Sequence, residues 1–194
     1  MKQVFTLAIA ILTITLLNAQ QNPEGLFINS KAPDFKGKNQ NNEEVRLKDL
    51  LKKGKVVLVF YRGQWCPYCN RQLSKLEDSL QLILDKGAQL VAISPEKPES
   101  ILKTIEKTKA HYPILYDKDL KIMKAYDVAF EVPENTLKRY MSSGLDVIDN
   151  NGTNGKYLPV PAVYIINQQM DIIYRFFDTD YRKRPSVQEL LSNL

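Results

Sequence analysis

The sequence predicts an α/β fold, a mixed sheet with helices on both faces, and three stretches carry that prediction. Val56 to Tyr61 (VVLVFY) is a continuous apolar run of strand length, the pattern of a strand buried on both sheet faces. Pro67 opens a helical spacing of Cys69, Leu73, Leu76, Leu80 and Ile83, which stops at Gly87 before the apolar Leu90 to Ile93. Strand, helix and strand in that order form a parallel, right-handed crossover. Val163 to Asn167 and Ile172 to Phe177, joined by a tight turn at Gln168-Gln169, read as an antiparallel hairpin.

The remaining elements fit around these. Residues 1–19 have the form of a cleavable secretory leader: Lys2, the apolar stretch Val4 to Leu17, then Asn18-Ala19 before polar Gln20-Gln21. That stretch is short of the roughly 20 residues needed to span a bilayer, so no lasting membrane insertion is expected. Export to the periplasm or medium would bring any thiols into oxidising surroundings. Residues 20–31 are a polar lead-in, and Lys36 to Glu44 is a turn-rich loop. Val45 to Leu51 reads as a short strand, then a helix. Pro98 to Ala110 is a second amphipathic helix, Ile114 to Tyr116 a short strand, and Leu120 to Tyr126 helical. Residues 127–158 differ in character, with a helix at Glu134 to Ser142 and then a Gly/Asn stretch. They read as an insertion before the final hairpin, packed near the working face. Pro185 to Leu194 closes the chain as a helix.

Composition narrows the function. At 194 residues, 44% apolar and 25% charged, the chain is ordinary for one globular domain, which excludes disordered and fibrous classes. A net charge of +5 with acids and bases interspersed gives no case for nucleic acid. Two Cys and one His cannot staple a disulfide scaffold, and they fall short of the roughly four ligands of a protein-only zinc site. No metal or cofactor is expected.

The strongest chemical signal is Cys66-Pro67-Tyr68-Cys69, at the end of the buried strand and the start of the helix. Cys66 falls at the cap, Pro67 at the first helical position and Cys69 at the third, so both sulfurs share one side of the first turn. Unpaired N–H groups and the helix dipole there favour an anion. A free thiol near pKa ~8.5 is about 3% thiolate at pH 7, and lowering it to ~7 takes ~2 kcal/mol. A helix end supplies only about 0.3–1 kcal/mol, so local hydrogen bonds and Arg62 or Arg71 must supply the rest. Two inert buried thiols are the plain alternative, but C-x-x-C after a strand in this unit is a specific redox signature. Asn70 follows the second cysteine where haem attachment would need His.

Around the motif the residues leave alternatives open. Trp65 is either a lid beside the reactive sulfur or a packed aromatic. Tyr68 is expected to be partly exposed and to tune access. Val160-Pro161 is either a cis-proline that leaves a backbone edge free for substrate or an ordinary strand-start proline. His111, before Tyr112-Pro113, reads as a turn residue rather than a catalytic base. The run Arg182-Lys183-Arg184 reads as a solvated face.

Val57 to Leu73 (VLVFYRGQWCPYCNRQL) resembles the thioredoxin fold. With Ala32-Pro33-Asp34-Phe35, Pro159-Val160-Pro161-Ala162 and Phe177 to Tyr181, residues 32–194 resemble the alkyl hydroperoxide reductase/thiol-specific antioxidant family, the peroxiredoxins, in a branch that carries C-x-x-C. The resemblance implies a cofactor-free reduction of hydrogen peroxide or organic hydroperoxides, with a thioredoxin-like external reductant. Counting from Phe60-Tyr61, the family's reactive cysteine falls on Cys69, its proline on Arg62 and its Thr/Ser hydroxyl on Cys66. Its later arginine falls near Pro161. Three of the four peroxide-handling positions are therefore changed, which weighs against fast peroxide chemistry.

Two mechanisms follow from the resemblance. As a peroxidase, Cys69 thiolate becomes sulfenic acid and Cys66 condenses with it to a disulfide. As a thiol–disulfide oxidoreductase on protein disulfides, Cys66, the more exposed sulfur, attacks, and Cys69 resolves while Pro161 aligns the substrate. A third reading is a non-catalytic exported binding protein on the same fold. Oligomeric state is not legible from these residues.

Overall fold

The structure is a computed structural model, and it describes residues 22–194; the expected leader lies outside the described residues. Strands β1 (Lys36–Lys38) and β2 (Glu44–Arg46) pair as an antiparallel ribbon, and α1 (Leu47–Leu51) leads into β3 (Lys55–Phe60). Then follow α2 (Pro67–Asp78), α3 (Leu80–Asp85), β4 (Ala88–Ser94), α4 (Pro98–Thr108), β5 (Ile114–Tyr116) and α5 (Lys121–Ala125). The region expected as an insertion holds β6 (Ala129–Glu131), α6 (Glu134–Ser142), α7 (Val147–Asn151) and β7 (Tyr157–Pro159). The chain finishes with β8 (Ala162–Ile166), β9 (Ile172–Phe177) and α8 (Val187–Ser192).

The main sheet has five strands in the order β5-β4-β3-β8-β9. Its left half is parallel and its right half antiparallel, which is the mixed sheet expected from a crossover followed by a hairpin. Central β3 alternates between two cores because successive side chains point to opposite faces. Val56, Leu58 and Phe60 join Leu47, Tyr126 and Tyr164 on one face. Val57, Val59 and Tyr61 join Cys66, Cys69, Leu73 and Ile101 on the other. The five residues Val56 to Phe60 are all 0% exposed. Each such side chain contributes roughly 1.5–3 kcal/mol by burial, so β3 is a rigid base for the turn that follows it.

The helix expected from Pro67 to Ile83 is interrupted. Ser79 leaves helical geometry at φ −110°, ψ 8°, and divides it into α2 and α3. The apolar spacing continues across the break, with Leu76 and Ile83 both buried, so periodicity alone did not mark it. Residues 127–158 are closed at the base by antiparallel β6 and β7 and carry a small core of Val132, Val147 and Leu158, against which Trp65 packs. Their Gly/Asn stretch is ordered by side-chain amides: Asn154 donates to the carbonyls of Pro95 (2.8 Å) and Asp117 (3.0 Å).

Candidate active site

The turn from β3 into α2 places the two cysteines as the spacing predicts. Cys66 is the N-cap in an extended conformation, Pro67 fills a first-turn position that needs no N–H partner, and the Asn70 N–H bonds the Cys66 carbonyl at 3.0 Å. Both are free thiols. Cys66 is 1% and Cys69 0% exposed, so Cys66 is the more exposed sulfur only by a trace: both are buried, with Trp65 and Tyr68 packed against the core face that carries α2.

The two sulfurs ionise differently. Burial pushes the Cys69 thiol up, but a hydrogen bond from Cys66, the charge of Arg184 and then backbone and charge from Arg62 bring it below the ordinary thiol range. Cys66 moves the other way, because its thiol is the donor in that bond and is buried besides. The pair therefore holds one thiolate at Cys69 and one proton at Cys66.

Arg184 is the residue that the sequence reading missed. Its Nη2 lies 3.3 Å from Cys69 Sγ, its Nε donates to Gln72 Oε1 at 2.6 Å, and Nη1 donates to the Tyr181 and Lys183 carbonyls. The basic run is thus not simply a solvated face. Arg182 pairs with Asp180 at 2.8 Å and Lys183 with Asp178 at 3.1 Å, while Arg184 turns inward. The Pro185 that follows is a visible signal, since it fixes the backbone just past the arginine.

Arg62 supplies the second cation. It is 4% exposed, sits 5.0 Å from the Trp65 ring centroid and 4.5 Å from that of Tyr181, and donates to the Tyr140 hydroxyl at 2.7 Å. Arg71 instead lies over the Tyr68 ring at 5.9 Å. Trp65 packs against Tyr140 of α6 at 5.8 Å, so it joins the cysteine turn to residues 127–158. Tyr68 is half-buried, edge-on to Tyr181 at 5.8 Å.

The cis alternative for Pro161 is corrected: the Val160–Pro161 bond is trans. Its backbone edge is also engaged, with the Val160 N–H on the Val128 carbonyl and the Pro161 carbonyl accepting from Asp178. Pairing of β6 with β7 and the hairpin loop takes up the groups a substrate would use. Pro161 instead lines a small pocket with Arg62, Phe130 and Tyr140. His111 is a turn residue held by Glu77, Nδ1 to Oε1 at 2.6 Å.

A buried carboxyl completes the surroundings. Glu96, just past β4, is 0% exposed. Oε1 accepts from the Gln64 N–H at 2.8 Å, and Oε2 accepts from the Thr104 hydroxyl, which in turn accepts from Tyr61. Burial pushes Glu96 up to about 8, against the pull of Gln64 and Thr104, and the negative Cys69 adds to the rise. Gly63 makes this packing feasible. Its φ is +156°, and a Cβ there would come within 2.5 Å of Trp65 Nε1 and 2.8 Å of Glu96 Oε1. Sequence reading missed Glu96 as well; its place just beyond the C-terminal end of a parallel strand, where α/β sites gather, is the signal that could have found it.

Comparison with known proteins bears on this geometry. Residues 28–175 match the model of the AhpC/TSA family. The chain belongs to that family. Over 115 residues it is 33% identical to peroxiredoxin Bcp of Bacillus subtilis, covering 59% of this chain and 71% of that protein. It is 27% identical over 123 residues to the thiol-disulfide oxidoreductase ResA of the same organism, covering 62% of this chain and 68% of the relative. Among solved structures, peroxidoxin BcpB from Mycobacterium tuberculosis superposes with a TM-score of 0.66 at 20% identity, covering 86% of this chain and 94% of that one. This family is the one the motif resembles, and the mixed sheet is its thioredoxin-like fold.

Proposed function

We propose that the protein is a thiol peroxidase that cycles the Cys66/Cys69 pair between dithiol and disulfide. One observation carries this reading: Arg184 Nη2 lies 3.3 Å from the sulfur of Cys69, and with the hydrogen bond from Cys66 and the charge of Arg62 it outweighs burial and favours the thiolate on the inner cysteine. Both sulfurs are buried, so only a small displacement of the turn is needed to admit a peroxide, whereas a protein disulfide needs a large one. Cys69 attacks the O–O bond, taking one oxygen as sulfenic acid while the other leaves, protonated, as water or alcohol. Cys66 then displaces that oxygen, giving the Cys66–Cys69 disulfide and a second water. An external dithiol of thioredoxin type returns two electrons and two protons. Arg184 and Arg62 supply positive charge where the family has a single later arginine, so the changed residues do not leave the site without cations.

Thiol–disulfide exchange is the second reading, favoured by the likeness to ResA and by two cysteines at the cap and third helical positions. Mixing reduced protein with hydrogen peroxide, and separately with a model disulfide, while following the fluorescence of Trp65 separates the two. Peroxide oxidation that survives Cys66→Ser as a sulfenic acid and is lost in Cys69→Ser supports the peroxidase. Rapid exchange that needs Cys66, with little response to peroxide, overturns it. Export to the periplasm or medium belongs to the same proposal, and a secreted chain beginning at Gln20 by mass spectrometry tests it.

A further inference from the structure

Between α2 and the segment that leads into α8 lies a cleft of about 400 Å³, within the range of small-molecule sites. Four cations border it: Arg71, Lys75, Arg182 and Arg184. No carboxylate is among its described lining residues, although Asp180 partly neutralises Arg182 from outside. Leu76, Val187 and Leu190 give it an apolar floor, with Leu76 and Leu190 each 1% exposed. Gln72 provides a second, independent sign of a ligand. It lines the cleft, is 7% exposed, and spends its Oε1 on Arg184, which leaves Nε2 buried without a partner. An orphaned buried donor costs roughly 1–3 kcal/mol, and a turn of the Gln72 amide toward an acceptor in the cleft would remove that cost.

We propose that this cleft binds a small amphiphilic carboxylate, its head among the cations and Gln72 and its apolar body on Leu76, Val187 and Leu190. The lining combines four cations with the carbon of Leu76, Val187 and Leu190, so neither a bare anion nor a neutral apolar molecule satisfies both. The cleft also reaches the thiol chemistry, because the guanidinium that forms its wall is the one that contacts Cys69. A carboxylate bound there competes for Arg184 and places a negative charge near the thiolate, which lowers the ionised fraction of Cys69. This coupling rests on Cys69 being the thiolate of the pair; the binding itself does not.

The test uses octanoate as the probe on the reduced full chain. Calorimetry is expected to show one saturable site, weakened about tenfold or more in the double variant Arg71→Gln/Lys75→Gln, since each lost cation removes a charge-assisted contact. Methyl resonances of Leu76, Val187 and Leu190 in the unsubstituted protein should shift with the same saturation, which keeps the proposal testable if the variant folds poorly. At a pH midway through the Cys69 titration, saturating octanoate should cut the thiolate fraction about threefold, read from the cysteine Cβ resonance. No saturable binding, binding unaffected by the double variant, inorganic phosphate binding as tightly as octanoate, or methyl groups that stay still would each overturn it. None of these readouts uses peroxide. A saturating octanoate that leaves Cys69 unmoved would overturn the coupling alone, and a protein that binds octanoate yet ignores peroxide would sink only the peroxidase reading.

Discussion

The two flanks of the cysteine turn are built from different materials. On one side stand rings: Tyr140 of residues 127–158 against Trp65, and Arg62 held between Trp65 and Tyr181, which comes from the chain after β9. On the other, the segment before α8 presents donors, with Arg184 on both Gln72 and Cys69. The aromatic flank excludes water and fixes the turn; the polar flank sets which sulfur is charged. Removing water strengthens every charge contact nearby, so each flank depends on the other.

The largest effect should come from the polar flank. Arg184→Gln removes the cation in contact with Cys69, so its thiol should rise toward the ordinary range and peroxide oxidation near neutral pH should slow about tenfold to a hundredfold, as seen by stopped-flow fluorescence. If the rate is unchanged, Arg62 alone sets the charge. On the aromatic flank, Tyr140→Phe removes only the acceptor of the Arg62 bond and should cost about 1–3 kcal/mol in denaturant unfolding, with a smaller change in rate. An effect on rate as large as that of Arg184→Gln would erase the division between the flanks.

Glu96, buried against Gln64 and Thr104 beside the turn, gives a pH dependence of definite sign. Its folded pKa, about 8, is raised above its unfolded value, so the native state binds the extra proton between the two. Stability should therefore be fully present at acid pH near the unfolded value and fall as pH rises toward 8, by at most about 1.4 kcal/mol per pH unit. Asp117, raised to about 6 by burial, adds to the acid half of this slope. Urea midpoints for Glu96→Gln should lose most of the fall above pH 6 or so; a slope that persists would place the proton elsewhere. The smallest effect belongs to the exposed Lys97–Asp149 pair at 2.9 Å, which ties α7 to the start of α4. Lys97→Gln should change stability by less than about 1 kcal/mol.

What local pattern can express was legible in the chain. The apolar run at β3, the cap-and-proline start of α2 and the hairpin of β8 and β9 each state their own geometry, and Cys66 and Cys69 follow from the start of α2. Arg184 could not be read this way, because its contact with Cys69 spans 115 positions and its own neighbours are an ordinary basic run. The trans bond at Pro161 was equally hidden, since a proline at a strand start is compatible with either isomer. The break at Ser79 escaped because the apolar period runs through it.

The central claim is that the inner cysteine holds the charge and the outer one holds the proton. Titration of the two Cβ resonances in reduced, unsubstituted protein labelled at cysteine tests it directly. The account predicts that Cys69 ionises first, below the ordinary thiol range, while Cys66 stays protonated through alkaline pH. Cys66 ionising first, or both sulfurs titrating together in the ordinary range, would contradict it.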